Sequence, residues 1–356
     1  HVMAQAPGYQ KLMSWVDAPI MPTPGAVGEI IKKISEKENI SVVGVDIGGA
    51  TTDIFSVFNG KFNRTVSANL GMSYSICNVL AESGYKSIAK WLPFDIDEEK
   101  LTDRISNKMI RPTTIPQSME ELIIEQALAR EALSMSFEQH KEFAVSLKGV
   151  QQKRTISEAF EQSSSGKTLV DMKNLNLIVG SGGVLSHAPR RSQSFMMMVD
   201  SFKPEGITQI AVDSIFMMPQ LGVLSSIHNE AALEVFNKDC LIRLGTCINP
   251  IFKKKIKILD LFDYSFHYNK KDYKGRISLN QIELFPIPYD KIKITLIPNI
   301  NIDLGNGFGE KVVADIFGGE VGVMLDGRSK DSSGNIHIEN KDTLVNWYNK
   351  IKVYSL

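Results

Sequence analysis

Only three cysteines (Cys77, Cys240 and Cys247) occur in the 356 residues. An odd number without paired ligand spacing excludes a disulfide framework and a thiolate metal cage, and predicts reduced thiols in a cytoplasmic protein. Net charge is missing as well: forty Lys and Arg stand against forty Asp and Glu. No global field therefore recruits nucleic acid or an anionic membrane. No run reaches the roughly eighteen apolar residues of a membrane-spanning helix. The first residues, His1-Val2-Met3-Ala4, have neither the basic start nor the apolar stretch of a secretory leader. The six histidines form no H-E-x-x-H or comparable ligand set, which argues against zinc. No D-x-H-x-x-G occurs either, so the lower-ligand motif of cobalamin-binding proteins is absent.

What is present is a globular composition, 43% hydrophobic and 22% charged, with enough apolar surface to offset the entropy of ordering the chain. The length predicts two domains. A Pro- and Gly-rich stretch at 18–28 leads into Val27, Ile30, Ile31 and Ile34 at helical spacing, so 1–39 reads as an N-terminal segment with a linker helix. ISVVGVD (40–46) is a buried strand, and Asn59-Gly60 joins two further strands into a hairpin, which predicts three consecutive antiparallel strands over 40–69. A helical insertion is expected at about 88–161, with a cap at Ser118 and Glu121. Strands follow at 175–180 and 207–213, and a helix at 219–236. After Arg243 the alternation of apolar and polar residues predicts a small β-rich domain over 247–330, followed by a C-terminal tail or helix at 331–356. The principal module is then 40–246, an α/β fold.

Two loops carry the chemistry. VGVDIGGATTD (43–53) is a strand ending in Asp46, followed by Gly48, Gly49, Ala50, Thr51, Thr52 and Asp53. Backbone N–H groups and threonine hydroxyls with no bulky side chain in the way suit a phosphate. A carboxylate at the strand end suits a water-ligated Mg²⁺ or the orientation of an attacking water. LNLIVGSGGVLSHAP (175–189) places Gly180, Ser181, Gly182 and Gly183 between a strand and a helix, where a flat ring or phosphate can rest. SSSGKT (163–168) has the end of a Walker A loop but not its leading glycine or strand, so Lys167 is read as part of an ordinary polar loop. His187 lacks a catalytic companion and is read as a surface or capping residue. Met196, Met197, Met198, Met217 and Met218 are read as core, and the Lys253–Lys257 run as solvated.

These loops resemble the second phosphate and adenosine motifs of the actin, sugar kinase and Hsp70 ATPase superfamily. More closely, DIGGATTD, the Pro-Thr-Pro before the first helix, GSGGVLSHAP, FKPEGITQIAVDSIFMMPQLGVLSS and GGEVGVMLDGR resemble the accessory proteins of glutamate mutase and related adenosylcobalamin aminomutases. That family is called MutL and is unrelated to mismatch repair. The resemblance runs over most of 18–330. It implies an actin-like, ribonuclease H-like subdomain and ATP or ADP with Mg²⁺ as cofactors. It also implies a reactivating role in which damaged cobalamin leaves a mutase or aminomutase and intact coenzyme enters. In that scheme Asp46 positions Mg²⁺ or water, Gly48, Gly49, Thr51 and Thr52 hold the β and γ phosphates, and Gly180–Gly183 line the adenosine. The first phosphate loop of the superfamily, D-x-G-S/T, does not occur upstream of Asp46, which predicts that the chain is a C-terminal portion of a longer ATPase. Hydantoinases and oxoprolinases of the same superfamily share an Asp-Gly-Gly-Thr loop, but bring metal-ligating histidines. A non-hydrolysing actin-like scaffold would need binding alone. A homo-oligomer remains open.

Overall fold

The computed structural model describes residues 8–16, 20–145, 168–253, 259–331 and 334–355. A short α1 (Tyr9–Met13) precedes α2 (Thr23–Glu38), which carries proline in its first turn, where a missing N–H costs nothing, and stops at Asn39 with φ 52°. Strands β1 (Val42–Ile47), β2 (Thr52–Phe58) and β3 (Lys61–Ser67) are consecutively antiparallel. Asn59 and Gly60 both adopt positive φ (50° and 71°), the pair a type I′ hairpin turn demands. The expected helical stretch is divided into α3 (Ile76–Ser83), α4 (Tyr85–Ala89), α5 (Glu98–Ile110) and α6 (Met119–Phe143). Ser118 caps α6 by accepting from the Glu121 N–H. Residues 146–161, the polar loop with Lys167 and most of the Lys253–Lys257 run lie outside the described residues.

Then come β4 (Leu177–Ser181), α7 (Gly183–Ser186), α8 (Arg191–Phe202), β5 (Gly206–Asp213), α9 (Met218–Ser225), α10 (Asn229–Val235) and β6 (Leu241–Asn249). The helix expected over 219–236 is therefore two, broken at Ser226–His228. The remainder contains β7 (Ile251–Phe252), β8 (Asp260–Tyr268), β9 (Lys271–Ser278), β10 (Ile282–Phe285), β11 (Lys291–Pro298), β12 (Ile302–Asp303), β13 (Val312–Phe317), β14 (Gly322–Asp326) and α11 (Lys341–Ile351).

Eight strands form one sheet in the order β10-β14-β6-β5-β4-β1-β2-β3. Its β3-β2-β1-β4-β5 part, with β1, β4 and β5 mutually parallel, is the ribonuclease H-like arrangement. Alternate residues of β1 enter different cores: Val43, Val45 and Ile47 pack with α3, α6 and α8, while Val42 packs with α2, α9 and α10. A strand buried on both faces is continuously apolar, which is why VVGV reads as it does. Met196, Met197, Met198 and Met218 are all buried core.

The stretch 247–330 differs from the separate β domain expected of it. Strands β10 and β14 join the large sheet, while among the described residues β13-β11-β8-β9 form a second sheet of four and β12 pairs with β7. That sheet packs on Ile248, Val323 and Leu325 of β6 and β14. Alternation identified strands here, but the long-range pairing of β14 with β6 leaves no local signal.

Candidate functional site

Because β1, β4 and β5 are parallel, Asp46, Ser181 and Asp213 stand together at their carboxyl ends. Ligands of open α/β sheets bind at that edge. Burial, then the Asp53 carboxylate opposite it on β2, raise the pKa of Asp46. A hydrogen bond with the Ser181 side chain opposes this, and Asp213 adds to it. Asp213 is itself fully buried and raised by burial, and its carboxylate accepts from the N–H groups of Ile215 (3.2 Å) and Met218 (2.9 Å). The site therefore concentrates negative charge where solvent cannot fully compensate it.

The turn from β1 to β2 is closed by the Gly48 N–H donating to the Thr51 carbonyl (2.8 Å). Residues 71–75 fold over it: the Met72 N–H donates to the Gly48 carbonyl and the Ser73 N–H to the Gly49 carbonyl, both at 2.9 Å. No hydrogen bond among the described residues uses the N–H of Gly49, Ala50 or Thr51, or the Thr51 hydroxyl. The tip thus offers a row of donors to an outside acceptor. Packing also needs these glycines: a Cβ on Gly49 would strike the Ser73 hydroxyl, and one on Gly71 would come within 2.5 Å of the Ala50 backbone.

Two residues expected on phosphate or metal are otherwise engaged. The Thr52 hydroxyl is fully buried and donates to the Leu70 carbonyl at 2.5 Å, so it clamps the turn and does not face a ligand. Asp53 accepts from Arg64 Nε and its terminal nitrogen (3.0 and 2.7 Å), which leaves it an electrostatic neighbour of Asp46 with its own cation. Gly48 has likewise committed its N–H. In the second loop, Gly180 lies against Met198 and Leu185. Gly182 has φ 106°, and a Cβ there would enter the Ile47 carbonyl. Only Gly183 of these three glycines opens onto free space. His187 ends α7, exposed, with its N–H on the Gly183 carbonyl.

Sequence reading missed Asp213, Ser73, Gly71 and Arg64. Asp213 had a usable signal, since IAVD repeats the pattern of VGVD, an apolar strand ending in Asp. The cavity of about 270 Å³ between α3, α5, the 111–117 loop and α6 is lined by no residue of these two loops. Among the described residues no three acidic, His or Cys side chains are grouped to hold a metal by themselves, and no helix is long and apolar enough to cross a membrane.

Fold and strand-end loops together define an α/β module of the actin-like class. The profile of the MutL protein family matches residues 1–240, and the chain belongs to that family, in its glutamate mutase-associated and not its mismatch-repair sense. It is 25% identical over 263 residues to Protein MutL of Clostridium tetanomorphum, which covers 66% of this chain and 54% of that protein. The chain thus spans about half the length of the curated relative it matches. Solved structures with weaker likeness include component A of (R)-2-hydroxyglutaryl-CoA dehydratase from Acidaminococcus fermentans, with TM-score 0.30 and 14% identity over 65% of this chain and 73% of that one. A Bacillus thuringiensis ParM hybrid protein with ADP has TM-score 0.20 and 14% identity over 78% and 34%.

Proposed function

We propose that this chain is the nucleotide-binding part of an ATP-dependent accessory factor that reactivates an adenosylcobalamin-dependent mutase or aminomutase by letting damaged cobalamin leave and intact coenzyme enter. The observation that carries the nucleotide reading is the pairing of opposite demands at one edge. Asp46 stands among carboxylates that call for a cation, and the adjacent turn presents three uncommitted N–H groups that call for an anion. Mg²⁺ with a phosphate ester satisfies both, so the residues fit the group. Membership of the MutL family supports the accessory role and the mutase as partner.

Asp46 would hold Mg²⁺ through water, the N–H groups of Gly49, Ala50 and Thr51 with the Thr51 hydroxyl would hold phosphate oxygens, and Gly183 would leave room for the nucleoside. The bound metal supplies charge neutralisation for the phosphates. Ser181 orients the Asp46 carboxylate, and the 71–75 segment fixes the turn. Coupling to a partner requires only that nucleotide bind two conformers with unequal affinity.

Calorimetry with Mg·ADP should show binding that falls at least about tenfold in Asp46→Asn, a loss of roughly 1.4 kcal/mol. Thermal stability at pH 7 should move the other way and rise, because a carboxylate whose pKa is raised in the fold costs the folded state stability as pH climbs past its unfolded value and in full above the raised one. Equal affinity in both proteins would remove Asp46 from the site. In a reactivation assay an inactivated mutase should recover turnover only with ATP, free coenzyme and the protein carrying this chain, and recovery without ATP would sink the coupling.

A further inference from the structure

Phe216 is an aromatic residue held at φ 57°, a left-handed conformation that bulky side chains rarely adopt. The loop that holds it is fixed from below: the buried Asp213 carboxylate takes the Ile215 and Met218 N–H groups, and the Asp213 carbonyl accepts from the Ser186 hydroxyl at 2.6 Å. This last bond ties the loop to α7. The Phe216 ring then meets the exposed ring of His187 edge-on, with centroids 4.9 Å apart and planes at 73°. His187 lies four residues after Gly183, on the same side of the α7 turn, and Gly183 is where the backbone opens onto free space. Gly183 and His187 thus lie one helical turn apart, the Phe216 ring packs on the His187 ring, and Ile215, its neighbour in sequence, is more than half exposed. Phe216 is half-buried and belongs to none of the hydrophobic clusters formed by the described residues.

We infer that Phe216 and His187 form the wall against which the base of a bound nucleotide stacks over Gly183, so that this pair sets the preference for a nucleoside phosphate over a bare phosphate. The inference rests on the nucleotide reading above and adds to it the two side chains that recognise the base. Stacking is the chemistry that suits the observation, because either ring face serves any planar heterocycle and needs no donor or acceptor match.

The test uses two probes, Mg·ADP and Mg·pyrophosphate, titrated calorimetrically into the chain and into Phe216→Ala, Phe216→Leu, Phe216→Tyr and His187→Ala. The native chain should bind ADP more tightly than pyrophosphate. Phe216→Ala, Phe216→Leu and His187→Ala should each weaken ADP by about tenfold and leave pyrophosphate unchanged, while Phe216→Tyr should retain ADP affinity. The leucine variant preserves apolar bulk and thereby the loop. Native-like ADP binding by Phe216→Leu, or parallel loss of both probes, overturns the stacking role. If the native chain binds both probes equally, the base contributes nothing and the inference falls while the phosphate site stands. If it binds neither, the nucleotide reading itself fails and takes the inference with it.

Discussion

His140 of α6 has no exposed surface, and its Nε2 and Nδ1 lie 2.8 and 2.9 Å from the hydroxyls of Ser56 on β2 and Thr65 on β3. A neutral ring supplies one donor and one acceptor, and each hydroxyl can give or take. Burial pushes the imidazole pKa down from 6.5 to about 4. Below pH 6.5 the unfolded chain binds a proton that the folded chain refuses, so stability is intact above 6.5 and is lost as pH falls toward 4. The loss should reach about 3 kcal/mol. Urea unfolding at a series of pH values should show this limb, and His140→Gln should flatten it. A limb unchanged in the variant would assign the acid sensitivity elsewhere. Nothing in the sequence distinguished this histidine, because its role depends on two hydroxyls from strands about 75 and 84 residues away. The candidate site was more legible. Asp46 and its turn were evident from residue types alone, whereas Thr52 looked like a phosphate ligand until the Leu70 carbonyl claimed its hydroxyl.

Between elements, four buried charges join α6, α8 and the end of β14. Asp200 accepts from Arg130 Nε at 2.8 Å and from Arg328 at 2.7 Å, and Arg328 also pairs with Asp326 at 2.8 Å. Removing Asp200 would leave the buried Arg130 guanidinium without its carboxylate and Arg328 with Asp326 alone, so Asp200→Ala should cost about 3 to 5 kcal/mol in chemical unfolding. A cost under about 1 kcal/mol would mean that water or a shifted carboxylate replaces it. Helices and strands themselves followed from periodicity and turn chemistry: the Asn59-Gly60 hairpin, the Ser118 cap and the apolar β1 are local facts. What joins them is not local. The run around Arg328 reads as part of a β domain, yet its arginine is a partner of α8.

At the scale of the molecule, the C-terminal segment closes the structure. Leu344, Trp347, Tyr348, Ile351, Val353 and Tyr354 are at most 3% exposed. The Tyr354 hydroxyl donates to Gln126 on α6 at 2.7 Å, and Gln193 on α8 donates to the Val353 carbonyl at 3.0 Å. Burying a large apolar side chain contributes about 1.5 to 3 kcal/mol, so six of them rival the net stability of a typical domain, about 5 to 15 kcal/mol. Deletion of 341–356 should abolish a cooperative thermal transition, and a truncated protein that melts like the intact one would show that the segment is dispensable. This closure could not be foreseen from a stretch that by itself reads only as a tail with a short helix.

The completion of the large sheet by β14 also has a consequence in time. Strand β6 ends at residue 249 and its parallel partner begins at 322. A ribosome adding about 5 to 20 residues per second needs roughly 4 to 15 s to make the intervening chain. Throughout that interval one edge of β6 has its backbone donors and acceptors unpaired, an invitation to pair with another nascent chain. The nascent chain is therefore exposed to misassembly in the interval between β6 and β14, after its strand-end loops are complete and before the parallel partner of β6 arrives.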